Sequence, residues 1–315
     1  MPLETPAEGR ELSTEVRQWG LRYRAANGVL RWAVVIVPAR YGPNSPSPPL
    51  PLVISPHGRG VRARTNARLW GGLPALGDFA VVCPGGMGRR LPLHSWGWRG
   101  QIDDLARMPS ILRGSRPWLR IDPQRVYAVG GSMGGQETLL LLGQHPDLLA
   151  GAVAFDSVTD FGLRYEQFAR SPRGRTLQAL ARVEVGGTPA SKRQAYIQRS
   201  PMHWIREIAS SGVPLQIWWS DADKIVVNQH TQSGRFFKEL QELEPRGRLE
   251  KVTGSWSHNA KSYAQLQLPG AVAWLGLIPE VRPGSHWDPT PFAIVTPASA
   301  LARLPATSQA RTTTR

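Results

Sequence analysis

The chain has 315 residues, a formal net charge of +15 and 41% hydrophobic residues. That length can bury one large core or two smaller ones, and a single α/β domain with a trailing tail fits best. Five of the 38 basic residues are lysines, which leaves 33 arginines scattered along the chain. Nucleic-acid-binding proteins concentrate their basic residues in a recognisable module, so we expect neither a nucleic-acid nor a membrane partner.

The N-terminal residues lack the apolar segment of a secretory signal peptide, and no apolar run has membrane-spanning length. The single cysteine, Cys83, lies in the apolar run FAVVC, so an internal disulfide is excluded. We therefore expect a buried structural thiol and a cytoplasmic protein.

In chain order, the first signal is Asn27-Gly28, which is flanked by segments of alternating polar and apolar residues. This pattern predicts a β-hairpin over residues 15–38, and so antiparallel strands at one edge of the sheet. A loop rich in proline and serine follows, and then LPLVIS is typical of a short buried strand. It leads into Pro56-His57-Gly58-Arg59-Gly60, a glycine turn at the strand end where open α/β sheets bind ligands.

A helix is predicted near residues 61–73, followed by the buried strand FAVVC. Trp96 and Trp98 then lie in a glycine-flanked loop, where rigid aromatic side chains either wall a substrate pocket or pack beneath the loop. Residues 101–119 have the pattern of one helix, with Asp103-Asp104 in its first turn, where carboxylates interact favourably with the helix dipole.

The most informative stretch is residues 126–142, VYAVGGSMGGQETLLLL, which has the pattern of a buried strand, a glycine-crowded turn and an apolar helix. Gly130-Gly131-Ser132-Met133-Gly134 matches the G-x-S-x-G nucleophile elbow, in which small neighbours let two backbones pass closely. A phosphate-binding loop is the alternative, but the lysine of its G-x-x-x-x-G-K-[ST] motif is missing. The sequence therefore predicts Ser132 as a nucleophile.

After the elbow, LLAGAVAFD predicts a buried strand that ends at Asp156, and residues 157–212 have weaker periodicity. We interpret this second segment as a small cap over the active site. The strand VPLQIWW, a helix over 228–244, the short strand RLEKV and a last helix ending at Leu277 complete the pattern. The fold class is α/β, a mostly parallel sheet with antiparallel N-terminal edge strands and helices on both faces.

Three segments follow from this pattern. Residues 1–14 form an N-terminal extension, residues 15–277 form the α/β domain, and residues 278–315 form a tail rich in Pro, Thr, Ala and Ser. Such a composition buries too little apolar surface to order a chain, so we expect the tail to be mobile.

A serine hydroxyl needs an imidazole as general base and a carboxylate that orients the imidazole. Beyond the elbow helix and the His145-Pro146-Asp147 turn that ends it, four histidines could qualify: His203, His230, His258 and His286. Only His258 lies in a loop of glycine and serine directly after the last short strand, so it is the predicted base, with Trp256 as a pocket wall. The residues alone leave the carboxylate open between Asp156, Asp221 and Asp223.

Residues 220–226, SDADKIV, resemble the G-x-x-D-x-x-V turn of α/β-hydrolases of the prolyl oligopeptidase and dienelactone hydrolase type, with Ser220 in place of the usual glycine. The resemblance covers about residues 50–275 and includes the H-G-x-G motif at His57, the elbow, Arg199-Ser200-Pro201 and His258. It implies Asp223 as the acid, with Asp156 as the second choice.

The same resemblance implies an oxyanion hole formed by the backbone N–H groups of Met133 and Arg59. His57 then either borders the substrate pocket or packs structurally. Such proteins need no metal or organic cofactor, and they act on small esters or short peptides through a Ser-His-Asp acyl-enzyme mechanism.

Three functions are compatible with these residues. The first is a carboxylic-ester hydrolase. The second is a serine peptidase without the N-terminal β-propeller of prolyl oligopeptidases, since the 49 residues before LPLVIS are too few to form one. The third is a catalytically silent basic binding scaffold, which the presence of all three triad residue types disfavours.

Overall fold

The computed structural model describes residues 10–11, 15–171 and 174–278. Its strands are β1 (Arg10–Glu11), β2 (Val16–Arg24), β3 (Leu30–Pro38), β4 (Leu50–Ile54), β5 (Ala80–Pro84), β6 (Ile121–Gly131), β7 (Gly151–Phe155), β8 (Leu215–Ser220) and β9 (Leu249–Gly254). They form one sheet in the order β1-β2-β3-β5-β4-β6-β7-β8-β9. The pairs β1–β2, β2–β3 and β3–β5 are antiparallel, and the pairs from β5–β4 onward are parallel. The predicted sheet and its antiparallel edge are confirmed.

The helices surround this sheet. They are α1 (Ala63–Leu69), α2 (Leu73–Gly77), α3 (Arg99–Ala106), α4 (Met108–Ser115), α5 (Met133–Gln144), α6 (Phe161–Phe168), α7 (Gly174–Val185), α8 (Arg193–Gln198), α9 (Ile205–Ser210), α10 (Ser233–Glu242), α11 (Ala260–Ser262) and α12 (Leu268–Trp274). Short 3-10 turns span Pro146–Leu148, Pro201–Trp204 and Gln229–Thr231, and a π-helical turn spans Tyr263–Gln267.

The single helix predicted over residues 101–119 is wrong, because the structure has two helices there, α3 and α4. Pro109 is the second residue of α4, a position where its missing N–H costs nothing, whereas it cannot continue a preceding helix. Helix α3 also begins at Arg99, so Asp103-Asp104 lies beyond its first turn. Asp104 instead forms a buried ion pair with Arg31.

Two apolar layers, one on each face of the sheet, hold the domain together. Helices α3, α4, α5, α9 and α10 contribute to the first layer, and α1, α2 and α12 contribute to the second. All residues of β4, β5, β7 and β8 are buried, as expected for strands covered on both faces. The consecutive leucines 139–142 of α5 are fully buried too, so this helix is enclosed on every side.

The crossover from β7 to β8 carries helices α6 to α9, in the segment predicted as a cap. Its apolar side chains form a third cluster that includes Met133 of the elbow and Trp96. Glu184 of α7, which is fully buried, accepts hydrogen bonds from the backbone N–H groups of residues 89–91 and pairs with Arg199. These hydrogen bonds therefore anchor the crossover to the loop after β5.

Cys83 is fully buried, as predicted, and burial raises the pKa of its thiol to about 12. Within the described ranges, no helix is long and apolar enough to cross a membrane. Residues 10–11 of the predicted N-terminal extension pair with β2 as a short edge strand. The rest of that extension, and residues 279–315 of the predicted tail, lie outside the described residues.

Candidate active site

The turn at Ser132 joins β6 to α5, as the G-x-S-x-G motif predicts. Ser132 has φ of +60° and ψ of −123°, which is strained for a residue with a side chain, and its N–H donates to Phe155 O at 2.8 Å. A Cβ on Gly130 would lie 2.4 Å from Gly134 O, and one on Gly134 would lie 2.3 Å from Pro56 O. The motif glycines are therefore required because three backbone segments meet here.

His258 is held by Asp223. In the loop after β9, its Nδ1 lies 2.9 Å from Asp223 Oδ2. Asp223 Oδ1 accepts the N–H groups of Ile225 and Val226 at 2.8 and 2.9 Å, and Gln229 Nε2 lies 3.2 Å from Oδ2. Since the carboxylate only accepts hydrogen bonds, the shared proton resides on Nδ1, which leaves the Nε2 lone pair free to act as a base.

The charge of Asp223 is stabilised by these neighbours. Burial alone would raise the pKa of its carboxyl. The hydrogen bond and charge of His258, together with the N–H of Ile225 and the amide of Gln229, outweigh burial and bring the pKa below its usual value. An ionised acid beside the imidazole is the arrangement that general-base catalysis needs.

Ser132 and His258 line the same cavity, which has a volume of about 260 Å³. Its apolar walls are formed by Val61, Leu69, Phe155, Ile225 and Tyr263. A small, largely apolar cavity with a few convergent polar groups is typical of a small-molecule site.

Asp156, the second choice for the acid, has a different set of partners. Its Oδ1 accepts the N–H of Ser220 at 2.9 Å, and its Oδ2 accepts Trp256 Nε1 at 2.9 Å and Gln267 Nε2 at 2.8 Å. Burial raises the pKa of Asp156, although these hydrogen bonds and the charge of His258 oppose the shift. Asp156 therefore ties strand β8 to the loop of His258.

The remaining candidates lie elsewhere. Asp221 is exposed and pairs with His230 at 3.1 Å, and His203 lies in a 3-10 turn. His286 lies outside the described residues. Of the three candidate carboxylates, only Asp223 forms a hydrogen bond with His258 among the residues that the structure covers.

The cluster of Asp156, Asp223 and His258 is poorly suited to binding a metal ion. One ligand atom from each of Asp156, Asp223 and His258 falls within 4.8 Å of the others. However, every oxygen of the two carboxylates already accepts hydrogen bonds from N–H donors, and His258 Nδ1 donates to Asp223. The donor set is thus arranged to hold an imidazole.

His57 braces the glycine turn after β4. It is almost fully buried, its Nε2 accepts the N–H of Gly86 at 2.8 Å, and its Nδ1 donates to Gly58 O at 2.8 Å. Burial lowers the pKa of His57, although both backbone hydrogen bonds oppose the shift, so the ring is neutral at pH 7. His57 packs structurally and, within the described ranges, does not line the cavity of Ser132.

The braced turn lies beside the nucleophile, since a Cβ on Gly58 would be 3.9 Å from the Cβ of Ser132. Arg59 follows in this turn and lines the cavity, and Met133 is the first residue of α5. Neither residue's backbone N–H donates to an acceptor within residues 15–171 and 174–278. Both groups are therefore free to bind an oxyanion, and their assignment to an oxyanion hole stays a prediction.

The three tryptophans predicted as pocket walls do not line this cavity among the described residues. Trp96 is buried against Phe161, with ring centroids 5.6 Å apart. Trp98 packs on Gly100 beside Arg31, and Trp256 donates to Asp156. For Trp96 and Trp98 the alternative of packing beneath the loop is what the structure has.

The sequence missed the residues that do form the walls. Tyr263 comes from the π-helical turn and Phe155 from the end of β7, and Gln229 supports the acid from a 3-10 turn. None of them belongs to a motif or to a periodic pattern that would have singled it out.

Comparison with known proteins identifies the fold. Residues 112–262 match the model of the prolyl oligopeptidase family. The fold is similar to S-formylglutathione hydrolase from Staphylococcus aureus, with a TM-score of 0.60 and 16% identity over 83% of this chain and 99% of that one. The chain has the α/β-hydrolase fold. No curated protein is similar enough in sequence to serve as a comparison.

The fold of this chain is also similar to parts of larger peptidases. An acylaminoacyl peptidase from Pyrococcus horikoshii has a TM-score of 0.58 and 16% identity, over 79% of this chain and 38% of that one. A puromycin-hydrolyzing peptidase from Mycobacterium tuberculosis has a TM-score of 0.58 and 21% identity, over 82% of this chain and 39% of that one. This chain thus spans nearly all of S-formylglutathione hydrolase and less than half of either peptidase.

Proposed function

We propose that this α/β-hydrolase is a serine hydrolase that cleaves small carboxylic esters through an acyl-enzyme intermediate. One observation carries the proposal: Ser132, on its strained turn, opens onto the same small cavity as His258, whose imidazole is oriented by Asp223. A nucleophile, a base and an acid in this relation are the requirements of acyl transfer.

In the proposed reaction, Ser132 Oγ attacks the ester carbonyl while His258 Nε2 takes the serine proton. Asp223 stabilises the imidazolium that forms. The N–H groups of Met133 and Arg59 bind the oxyanion, and one such donor typically accelerates the reaction by about 10²–10³. His258 then protonates the leaving alcohol, and it activates the water that hydrolyses the acyl-enzyme.

The size and polarity of the cavity favour small esters. About 260 Å³ with mainly apolar walls accommodates a short acyl chain and lies below the usual volume of a drug-sized site, about 300–1,000 Å³. Turnover should therefore fall as the acyl chain lengthens. A cytoplasmic location stays a prediction of the sequence.

A peptidase is the second candidate, because residues 112–262 match the prolyl oligopeptidase family. A panel of p-nitrophenyl esters of increasing acyl length, beside aminoacyl p-nitroanilides, separates the two. We expect turnover of acetate and butyrate esters, a decline for longer chains, and little release from the anilides. Faster turnover of the anilides would assign a peptidase.

Two variants complete the panel. Ser132→Ala should abolish turnover, whereas Ser257→Ala, at an exposed serine beside His258, should keep it. Equal and negligible turnover by wild type and Ser132→Ala would leave the silent binding scaffold as the function of this fold.

A further inference from the structure

An unpaired arginine lies in the wall of the active-site cavity. Arg59 lines the cavity with Ser132 and His258 and is partly buried. Within residues 15–171 and 174–278, no carboxylate forms an ion pair with it and no acceptor binds its guanidinium. Burial lowers the pKa of Arg59, because the charged group is partly desolvated without a counter-ion.

A second arginine supports the same corner from the crossover helices. Arg164 of α6 is almost fully buried, and its Nη2 donates to the backbone oxygen of Ile225, a residue of the cavity wall. Its guanidinium carbon lies 4.5 Å from the centre of the Phe168 ring. Its Nη1 is buried without a hydrogen-bond partner in the described part of the chain.

The two guanidinium groups act on each other. Burial lowers the pKa of Arg164 to about 10, and the positive charge of Arg59 adds to this shift, while Asp223 opposes it. A buried donor without a partner destabilises a protein by about 1–3 kcal/mol. Arg164 Nη1 is such a donor, and Arg59 in the cavity wall has no ion pair within the described ranges. This excess of positive charge indicates a partner that the chain itself does not supply.

The carboxylates of the site are not that partner. Both oxygens of Asp223 are used by His258, Gln229 and two backbone N–H groups. Both oxygens of Asp156 are likewise occupied. The site has an excess of guanidinium N–H donors. Their planar geometry is complementary to the two oxygens of a carboxylate.

We propose that Arg59, reinforced by the charge of Arg164, forms an anion subsite, and that the preferred substrate is a short ester that carries a free carboxylate. This inference rests on the ester hydrolysis proposed above. The carboxylate binds the Arg59 guanidinium, which places the ester carbonyl near Ser132. A cavity of about 260 Å³ limits the substrate to the size of a short half-ester.

Matched pairs of esters test this subsite. On the acyl side the pair is monomethyl glutarate and methyl pentanoate, and on the alcohol side it is 4-acetoxybenzoate and phenyl acetate. We expect kcat/KM to be at least tenfold higher for the anionic member of one pair, and this preference to fall as ionic strength rises. If neither pair shows a preference for its anionic member, the inference is overturned. Hydrolysis of the neutral esters would still leave the proposed function standing.

Variants locate the preference. Arg59→Gln keeps the backbone N–H assigned to the oxyanion hole and removes the guanidinium. It should lower the ratio of kcat/KM for the anionic ester to kcat/KM for the neutral ester at least tenfold, to near 1. Arg62→Gln removes the same charge from an exposed neighbour outside the cavity and should keep the wild-type ratio. An unchanged ratio in Arg59→Gln contradicts the subsite.

Arg164→Met separates the charge of Arg164 from its support of Ile225. A loss confined to the anionic ester supports the subsite, whereas equal losses for both esters assign Arg164 to the support of the acid turn and remove it from the proposal. Should this buried variant fail to fold, Arg59→Gln still decides. If the wild type hydrolyses no ester at all, it is the proposed function that fails, which is distinct from failure of the subsite.

Discussion

Replacing Asp223 with asparagine perturbs the triad at one atom. Asp223 Oδ1 accepts two backbone N–H groups, so the amide oxygen of the variant must stay at that position. The amide NH₂ then faces His258 Nδ1 from the position of Oδ2. Because an NH₂ group donates, it stabilises the tautomer with the proton on Nε2, and that nitrogen can no longer accept the proton of Ser132.

The expected loss follows from this tautomer change. The same substitution in the chymotrypsin-type triad lowers kcat by about 10⁴, so we expect kcat of Asp223→Asn to fall by roughly 10³–10⁴. In wild type, Gln229 Nε2 donates to Asp223 Oδ2 at 3.2 Å, and in the variant it would face the amide NH₂, which is also a donor. The lost hydrogen bond adds a modest loss of stability. Catalysis should therefore suffer far more than folding.

Asp156→Asn is the matched control. One of its oxygens accepts Trp256 and Gln267 together, and the other accepts Ser220, so an amide leaves at least one donor facing another donor. We expect a loss of about 1–3 kcal/mol in the free energy of unfolding and a smaller loss of kcat. Kinetics with p-nitrophenyl acetate and urea unfolding measure the two effects. A near-normal kcat in Asp223→Asn with an inactive, stable Asp156→Asn would refute the assignment.

Three further predictions concern buried groups around the site. Burial raises the pKa of the Glu137 carboxyl from 4.5 to about 7, so the protonated carboxyl stabilises the fold fully below pH 4.5 and this stabilisation is lost as pH rises through 7. The loss is on the order of 3 kcal/mol in the free energy of unfolding. Glu137→Gln should abolish it when urea unfolding curves at pH 5 and pH 8 are compared. Glu184→Ala should destabilise the fold by about 3–5 kcal/mol in urea, because it leaves Arg199 and three N–H groups unpaired, whereas Glu184→Gln should cost less. Gly134→Ala should lower both kcat and melting temperature, since its Cβ would lie 2.3 Å from Pro56 O; an unchanged melting temperature would contradict the close approach.

Much of the fold was predictable because local chemistry determines it. The hairpin at Asn27-Gly28, the short apolar strands and the strand-turn-helix at Ser132 each depend on a few adjacent residues. The glycines of the elbow were informative because backbone contacts, down to 2.3 Å for an added Cβ, exclude any side chain there. The position of His258 in a loop after the last strand was also predictable, and its role as the base stays a prediction.

Other features depend on contacts between distant residues. Asp156, Asp221 and Asp223 all follow strand ends, and only the backbone N–H groups around Asp223 and the position of His258 decide between them. Trp96 had the pattern of a pocket wall, yet Phe161, 65 residues later, buries it. Long-range contacts of this kind leave no local signal in the sequence.

The central claim is that His258 activates Ser132 as a nucleophile. A fluorophosphonate probe tests it most directly, because the probe reacts covalently only with an activated serine. Intact mass and peptide mapping should find one adduct per chain, on Ser132, with labelling lost in Ser132→Ala and strongly slowed in His258→Ala. An unlabelled wild type, or labelling that persists in Ser132→Ala, would contradict the claim.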